Sequence, residues 1–456
     1  MLVITVSMVS ISYPMQIIAV SLASMAVAII LYVTLSLRRV ALVVWLLLVA
    51  KPLVDLTWKW QVGAVAGQRV NAQTVMAVFL VTLVAVNFGL RSRQLVRSPT
   101  VIAFLVSTSL SLFICATAPI CHIAGAANEY LRFLSGVAIF FVAGSFLNVS
   151  SVFSKFTCVF LLVVTVPVIL SFFQRLGFLE FEYWDWIGGV RVGRVSGTYQ
   201  HPLNLAFYIV YAIPLALYLL SEPRGWIRHV SLLVFVALAL LSLVLTLHRT
   251  ALIASGVQIL LWLFLRRKYT LLALGAVLIT TLIVFQMGNV QLLYKDLATL
   301  MQGDFSPSLF RGRWANWQAF ILSIRSGTPI QWLFGRGVSD ASAFLPTDYV
   351  LSAHEPHNDF IRILHAYGLI GLCLYLLMLV SFTRAALQLR RAQDGYSRSL
   401  SNLMLVLLAG IATMSLTTEP MRYPSSVWYF FMLASIVTVR AHRVGRSSPS
   451  DHRRDG

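Results

Sequence analysis

The chain has 456 residues, of which 59% are hydrophobic and only 11% are charged, and its mean hydropathy is +0.82. This apolar surface is more than one soluble core can hide, which excludes an ordinary soluble protein and makes lipid the expected solvent. The formal net charge of +19 could suggest a nucleic-acid partner. However, many of the basic residues lie in alternate short connections or in the C-terminal tail, which indicates membrane topology instead.

The apolar residues fall in runs of the length that a helix needs to cross a bilayer, roughly 20 residues for about 30 Å of hydrocarbon. These runs lie at residues 15–36, 40–57, 70–90, 99–117, 128–147, 155–175, 201–221, 228–247, 249–265, 270–288, 358–383, 400–417 and 425–440. The pattern predicts an all-α polytopic membrane protein with about 12–13 transmembrane helices, forming a single integral membrane domain over residues 1–440.

Basic clusters occupy every second connection between the runs, and these connections are therefore expected in the cytoplasm. A basic cytoplasmic tail at 441–456 is predicted to be disordered. The opposite side receives the loops at 58–69, 118–127, 176–200, 289–357 and 418–424. The large extracytoplasmic loop at 289–357 should contain one or two short amphipathic helices near the membrane surface, and long ordered loops often carry function.

The large loop ends at the mouth of a predicted span with the sequence HEPHNDFIRILHAYGLIG, which contains His357 and Asn358. A histidine titrates near neutral pH, so His357 could accept the proton of an attacking hydroxyl as a general base. The alternative is that His357 and Asn358 only cap the helix, because asparagine is a favoured capping residue. Gly368 and Gly371, three residues apart on one helix face, are expected to let a neighbouring helix approach closely.

Two further segments place arginines where they could bind phosphate. GGVRVGRVSGTYQHPLNLAFY carries Arg191, Arg194 and His201 before a middle span, and LTLHRTALIASG carries His248 and Arg249 inside apolar sequence. The planar guanidinium group makes paired, charge-assisted hydrogen bonds to phosphate. Arg249 would be costly in bare hydrocarbon, so it should lie at an interface or face a polar cavity.

Lys51 and Asp55 lie one turn apart within the second predicted span. A structural ion pair is the favoured interpretation of this spacing, although a functional intramembrane site is possible. The sequence contains no GxxxxGK[ST], HExxH or paired CxxC motif. Neither a cofactor nor a metal site is therefore predicted.

The motif residues resemble those of the O-antigen ligase and O-antigen (exopolysaccharide) polymerase family. The ligase motif is a histidine, then Asn, Ser or Gln, nine residues, Gly, two residues and Gly, which His357, Asn358, Gly368 and Gly371 match. The segment around Arg194 is similar to the family's arginine-glycine segment, and the segment around Arg249 to its serine-arginine helix start. Here His248 stands where serine is usual.

The resemblance implies a GT-C-like membrane glycosyltransferase in the bacterial inner membrane, with its active site facing the periplasm. Its donor would be a glycan on undecaprenyl diphosphate, and its acceptor a second glycan or lipid A core. His357 would be the catalytic base, and Arg194, Arg249 and, in reserve, Arg191 would bind the diphosphate without a metal. A chain-length regulator or flippase is a possible partner beside the lipid bilayer itself.

Two other classes of function stay open on the sequence alone. A transporter would also show many spans with intramembrane charges, but transporters often have repeated halves, and no such repeat is found. A non-catalytic scaffold of a polysaccharide assembly complex is the third possibility, and it would tolerate the loss of His357.

Overall fold

The computed structural model describes residues 40–57, 61–65, 68–91, 98–117, 123–181, 183–187, 190–222, 225–275, 277, 313–337 and 355–446. Its helices, in chain order, are α1 Val40–Leu56, α2 Ala72–Arg91, α3 Pro99–Thr117, α4 Ile123–Leu147, α5 Ser150–Arg175, α6 Pro202–Leu220, α7 Trp226–Leu245, α8 Arg249–Leu265, α9 Arg313–Arg325, α10 Pro329–Phe334, α11 Asp359–Arg390, α12 Gly395–Ser415 and α13 Pro424–Arg446. The 3-10 turn Pro420–Arg422 precedes α13. Two antiparallel hairpins are formed by β1 Gln61–Val65 with β2 Gln68–Asn71, and by β3 Tyr183–Ile187 with β4 Val190–Arg194.

These helices confirm the prediction of an all-α polytopic membrane protein. In the described part of the chain, six helices are long and apolar enough to cross a membrane, and three shorter apolar helices accompany them. The runs predicted at 15–36 and over most of 270–288 lie outside the described residues, as do residues 289–312 and 338–354 of the large loop. The last helix continues beyond residue 440 to Arg446, and the tail from 447 is outside the described range.

The two hairpins fall at the connections 58–69 and 176–200, for which the sequence patterns predict no secondary structure. β3 carries Tyr183, Trp184 and Trp186, and aromatic residues favour strands. Gly188 and Gly189 stand between β3 and β4 in the sequence, and a Gly-Gly pair is a typical two-residue hairpin signal. This hairpin ends at Arg194, one of the arginines predicted to bind phosphate.

Helices α6 and α13 form the centre of the bundle, since almost every residue of α6 and every residue of α13 from Ser425 to Thr438 is buried. A helix that is apolar on all sides requires neighbours on all sides. Helix α13 packs closely against α4, where a Cβ added at Gly136 would lie 2.2 Å from Val427 and one at Gly144 would lie 2.6 Å from the Ser435 carbonyl oxygen. Small residues allow the backbones to approach in this way.

Lys51 and Asp55 form the buried ion pair that their spacing predicted. Tyr208 of α6 donates a hydrogen bond of 2.5 Å to the second oxygen of Asp55, and the Lys51 ammonium lies 5.4 Å from the centre of the Trp428 ring. Each charge therefore has a partner that offsets part of its desolvation.

The positions of the helix ends distinguish two ends of the bundle. At one end, Ser415, the last residue of α12, donates a hydrogen bond of 3.0 Å to Asp359, the first residue of α11. The start of α8 lies beside them, because the hydroxyls of Thr250 and Thr417 are 2.5 Å apart. We call this the His357 end. The other ends of α8, α11 and α12 lie a full helix length away.

Candidate functional site

His357 occupies a strained turn immediately before α11. Its φ angle is +48°, a left-handed conformation that non-glycine residues seldom adopt. The turn is fixed because the His357 N–H donates a hydrogen bond of 2.9 Å to Oε1 of Glu419, from the loop before α13. Asn358 caps α11 by accepting from the Ile361 N–H at 3.0 Å, as the alternative interpretation of the motif predicted. Its amide also donates to the Leu416 carbonyl at 3.0 Å.

Helix α9 of the large loop holds the same turn from the other side. Asn316 donates to the Glu355 carbonyl at 3.1 Å, and the Trp317 indole donates to the Pro356 carbonyl at 2.8 Å. Arg313, the first residue of α9, is thereby brought close enough to act electrostatically on the turn. The large loop is part of the site through these contacts.

Arg422 connects three carboxylates around the turn. It contacts Glu355 directly, lies 2.7 Å from Oε1 of Glu129, and lies 3.5 Å from Oε2 of Glu419. The three acids come from α4 and from two loops, so one arginine ties together segments that are distant in the sequence. Such a network gives more rigidity than an isolated surface pair.

The imidazole of His357 is partly exposed, and its Nδ1 lies 3.9 Å from Oε2 of Glu355, too far for a hydrogen bond. Burial lowers the pKa of His357, and Arg313 and Arg422 lower it further, while the Glu355 carboxylate opposes them. The ring is therefore neutral near pH 7 and able to accept a proton, as a general base must be.

Glu419 is almost completely buried. Burial raises the pKa of Glu419 to about 7, with further increases from Glu355 and Asp359, and Arg422 and Arg362 oppose the shift. A carboxyl group of this kind changes its protonation in the physiological range. It accepts the His357 N–H in either protonation state through an oxygen lone pair.

The motif glycines mark a break in α11. Gly368 has φ +67° and ψ −171°, so the structure differs from the expectation of one continuous helix face through Gly368 and Gly371. A Cβ at Gly368 would lie 2.3 Å from the Leu333 carbonyl oxygen at the end of α10. A Cβ at Gly371 would lie 2.3 Å from the Cβ of Tyr367. Both glycines therefore permit close contact, but the segment that approaches Gly368 is the end of a short loop helix.

The backbone groups released by this break find partners in the residues after α10. The Arg336 N–H donates to the His365 carbonyl at 2.9 Å, and the Gly337 N–H donates to the Ala366 carbonyl at 3.1 Å. Gly335 has φ +82°, and a Cβ there would lie 2.2 Å from the Ala366 oxygen. Buried carbonyl groups require hydrogen-bond donors. The backbone N–H groups of Arg336 and Gly337 therefore replace the helical hydrogen bonds that the His365 and Ala366 carbonyls lose at the break.

A second group of residues surrounds the end of the β3–β4 hairpin. Arg194 donates from Nε to the Thr246 carbonyl at 3.0 Å, and its guanidinium lies 5.6 Å from the centre of the Tyr183 ring. His201 caps α6 by accepting from the Leu203 N–H at 3.0 Å, and its ring is 4.4 Å from that of Tyr183.

His248 caps α8 by accepting from the Ala251 N–H through Nδ1 at 3.2 Å. Burial lowers its pKa to about 3, and the nearby charges of Arg194, Arg313 and His201 act in the same direction. The ring is therefore neutral, and its Nε2 carries the proton. Serine is also a preferred capping residue, so the histidine fulfils the structural role that a serine would have here.

The structure thus brings two of the predicted arginines to one place. Arg194 lies beside the turn between α7 and α8, and Arg249 is the first residue of α8. The charge of Arg313 lowers the pKa of His248 and of His357 alike, so Arg313 lies near both the motif histidine and this arginine group, Arg194 and Arg249. The N-terminus of a helix attracts anions as well. Arg191 lies in β4, but its side chain is outside the described part.

Glu355, His357 and Glu419 offer three ligand atoms within 4.8 Å of one another, a spacing that could hold a metal ion. Arg422, however, contacts Glu355 and lies near Glu419. A guanidinium beside both carboxylates offsets part of their negative charge and repels a cation. The donor set therefore favours ion pairing with Arg422 over metal binding.

Glu419 and Arg422 were missed by sequence reasoning. Both lie in the connection at 418–424, which the charge pattern places on the same side as the large loop. The chain has only 16 acidic residues. A glutamate three residues before an arginine in this short connection was therefore a signal that could have identified the pair.

Comparison with known families supports the resemblance that the motif carried. The model of the family described as O-antigen ligase matches residues 234–376, from within α7 to within α11. The matched stretch includes His248, Arg249, Arg313 and the motif from His357 to Gly371. No curated protein matches the chain. The resemblance to the O-antigen ligase family is confirmed over this stretch, and it supports a role in polysaccharide assembly.

Proposed function

We propose that this chain is a membrane glycosyltransferase that polymerises or ligates glycans carried on undecaprenyl diphosphate. The reaction would take place at the outer face of the bacterial inner membrane, in O-antigen or exopolysaccharide biosynthesis. The family match over residues 234–376 supports the reaction class. The observation that carries the proposal is geometric. Asn358, next to His357, donates a hydrogen bond to the Leu416 carbonyl, and Thr417 is hydrogen-bonded to Thr250, next to Arg249, so the motif histidine and Arg249 lie at the same end of the bundle.

The arginine group supplies what a diphosphate donor requires. Departure of a diphosphate from the anomeric carbon develops negative charge on phosphate oxygens. Fixed guanidinium groups stabilise this charge strongly in a cleft from which water is partly excluded. Arg194 and Arg249 are the proposed diphosphate ligands, because one is oriented by the Thr246 carbonyl and the other begins α8, whose N–H groups add positive potential.

The neutral imidazole of His357 supplies the base. As the acceptor hydroxyl attacks the anomeric carbon, its O–H bond breaks and His357 takes the proton. A new glycosidic C–O bond forms, and the bond from that carbon to the diphosphate oxygen breaks. Undecaprenyl diphosphate then leaves with the electron pair. A single displacement inverts the anomeric configuration, and no metal is required because the donor is already activated.

Polymerase and ligase differ only in the acceptor. A polymerase would use a second lipid-linked glycan, whereas a ligase would use lipid A core. We expect the large loop to determine which acceptor binds, because α9 contacts the turn of His357 directly through Asn316 and Trp317. A chain-length regulator or a flippase would be the expected protein partner in either case.

The proposal is tested in a null strain complemented with the wild type, His357→Gln or His442→Gln, at matched membrane levels. His442 is an exposed histidine of α13, at the opposite end of the bundle, and is the matched control. We expect His357→Gln to abolish glycan assembly and to accumulate the lipid-linked donor, while His442→Gln assembles glycan normally. The accumulated species also distinguishes polymerase from ligase.

Normal assembly with His357→Gln would reject the proposed base and favour a scaffold. Loss of glycan without any accumulated lipid-linked donor on the outer face would instead indicate transport of the donor.

A further inference from the structure

The end of the bundle opposite His357 contains a large, strongly basic cavity. It measures about 1320 Å³ and lies among the ends of α5, α6, α7, α8, α11 and α12. Its charged lining consists of five arginines and one glutamate: Arg228, Arg266, Arg267, Arg390, Arg398 and Glu222. The proposed transfer reaction makes no use of this cavity.

The arginines of the cavity have few protein partners to neutralise them. Within the described ranges, no carboxylate lies within ion-pair distance of any of the five. Arg266 donates to the Ser399 hydroxyl at 3.3 Å, and Arg398 donates to the Gln393 carbonyl at 3.0 Å. The glutamate that lines the cavity accepts from Ser154 at 3.0 Å. The positive charge is therefore in excess.

Two buried donors of the cavity are unsatisfied among the described residues. These are Nε of Arg266 and the hydroxyl of Tyr396. Burial lowers the pKa of Arg266, and the positive charge of Arg398 lowers it further. Like charges held together around unsatisfied donors are typical of a site that is completed by an anion.

We propose that this cavity binds a phosphate-bearing anion, and that the headgroup of an anionic membrane lipid is its ligand. The cavity is far larger than one phosphate ion, and so it can hold a headgroup with more than one phosphate. Basic clusters throughout the sequence predict that this end faces the cytoplasm, where anionic lipids are attracted to basic pockets between helices. Soluble diphosphate has the same chemistry, and the test distinguishes the two sources.

The test uses the full-length protein in nanodiscs of phosphatidylcholine, alone or with cardiolipin. Bound lipid is measured by native mass spectrometry, and Tm is measured in parallel. Inorganic pyrophosphate is titrated separately. The variant is Arg266→Gln with Arg398→Gln, and the matched control is Arg391→Gln, an exposed arginine at the same end that does not line the cavity.

We expect cardiolipin to stay bound and to raise Tm in the wild type and the control. The double variant should bind cardiolipin at least about tenfold more weakly, because two charge-assisted contacts are removed. Binding of pyrophosphate alone, lost in the same variant, would keep the phosphate site but assign it to a soluble ligand. Equal binding by the variant and the control would overturn the proposal. Equal Tm values in phosphatidylcholine alone establish that the variant is folded.

Discussion

Replacement of Glu419 tests whether its hydrogen bond positions the proposed base. The Glu419 carboxyl accepts the N–H of His357 at 2.9 Å and holds this residue at φ +48°. Glu419→Ala leaves that N–H without its partner and releases the turn. Glu419→Gln keeps an acceptor oxygen of nearly the same shape. Comparison of the two variants therefore separates the effect of the hydrogen bond to the His357 N–H from the effect of the negative charge of Glu419.

The expected magnitude follows from the bond that is lost. A hydrogen bond to a charged group contributes about 1.5–3 kcal/mol, and the left-handed conformation that it holds costs about 1–3 kcal/mol. If this energy positions the imidazole, its loss lowers kcat by roughly ten- to hundredfold, since each 1.4 kcal/mol corresponds to tenfold. The KM for the lipid-linked donor should change little, because the arginine group is untouched.

The assay is the initial rate of glycan transfer by the purified full-length protein in nanodiscs, with a lipid-linked donor. Glu180→Ala is the control, since Glu180 is exposed in the connection between α5 and β3. We expect a large loss of kcat for Glu419→Ala, substantial recovery for Glu419→Gln and no change for the control. The reasoning fails if Ala and Gln are equally active, or if the loss falls on KM.

The remaining predictions concern pH, the helix break and metals. Because burial raises the pKa of Glu419 from 4.5 to about 7, the native state binds its proton more tightly than the unfolded state. Stability relative to Glu419→Gln is then lost as pH rises from about 4.5 to about 7, by up to about 3 kcal/mol, and an unchanged difference in Tm between pH 5 and pH 8 would contradict this. The lowered pKa of His357 places the acidic limb of the rate profile below pH 6.5, and Glu355→Gln should move that limb to lower pH. Gly368→Ala should lower the free energy of unfolding by about 2 kcal/mol or more and lower Tm with it. Gly395→Ala, with no atom near its new Cβ, should leave Tm unchanged. EDTA should leave the transfer rate unchanged, and loss of activity that is restored by a divalent cation would contradict the ion-pair assignment.

The features of the fold and of the candidate site that the sequence predicted are local in the chain. Asn358 lies one residue before α11 and caps it, and Lys51 and Asp55 are one turn apart in α1. Periodicity, capping preference and spacing describe such features directly. The position of nearly every described helix followed from hydropathy for the same reason.

The parts that were missed depend on contacts between distant segments. Glu419 is 62 positions from His357, and Arg422 is 293 positions from Glu129. Gly368 shares a motif with Gly371, yet its conformation is set by the end of α10. No local pattern records such pairings, because they arise only when the large loop and the last connection pack against the start of α11.

The attachment of the large loop to α11 limits how this protein could be recombined with its relatives. Residues 313–337 are fastened near one end by Asn316 and Trp317, and at the other by the backbone of Arg336 and Gly337. A chimera with a junction inside this stretch would take the two sets of hydrogen bonds from different parents. The loop would then no longer be held in its position against α11 and the turn before it. Exchange of acceptor preference between relatives should therefore succeed when residues 313–390 are transferred as one block.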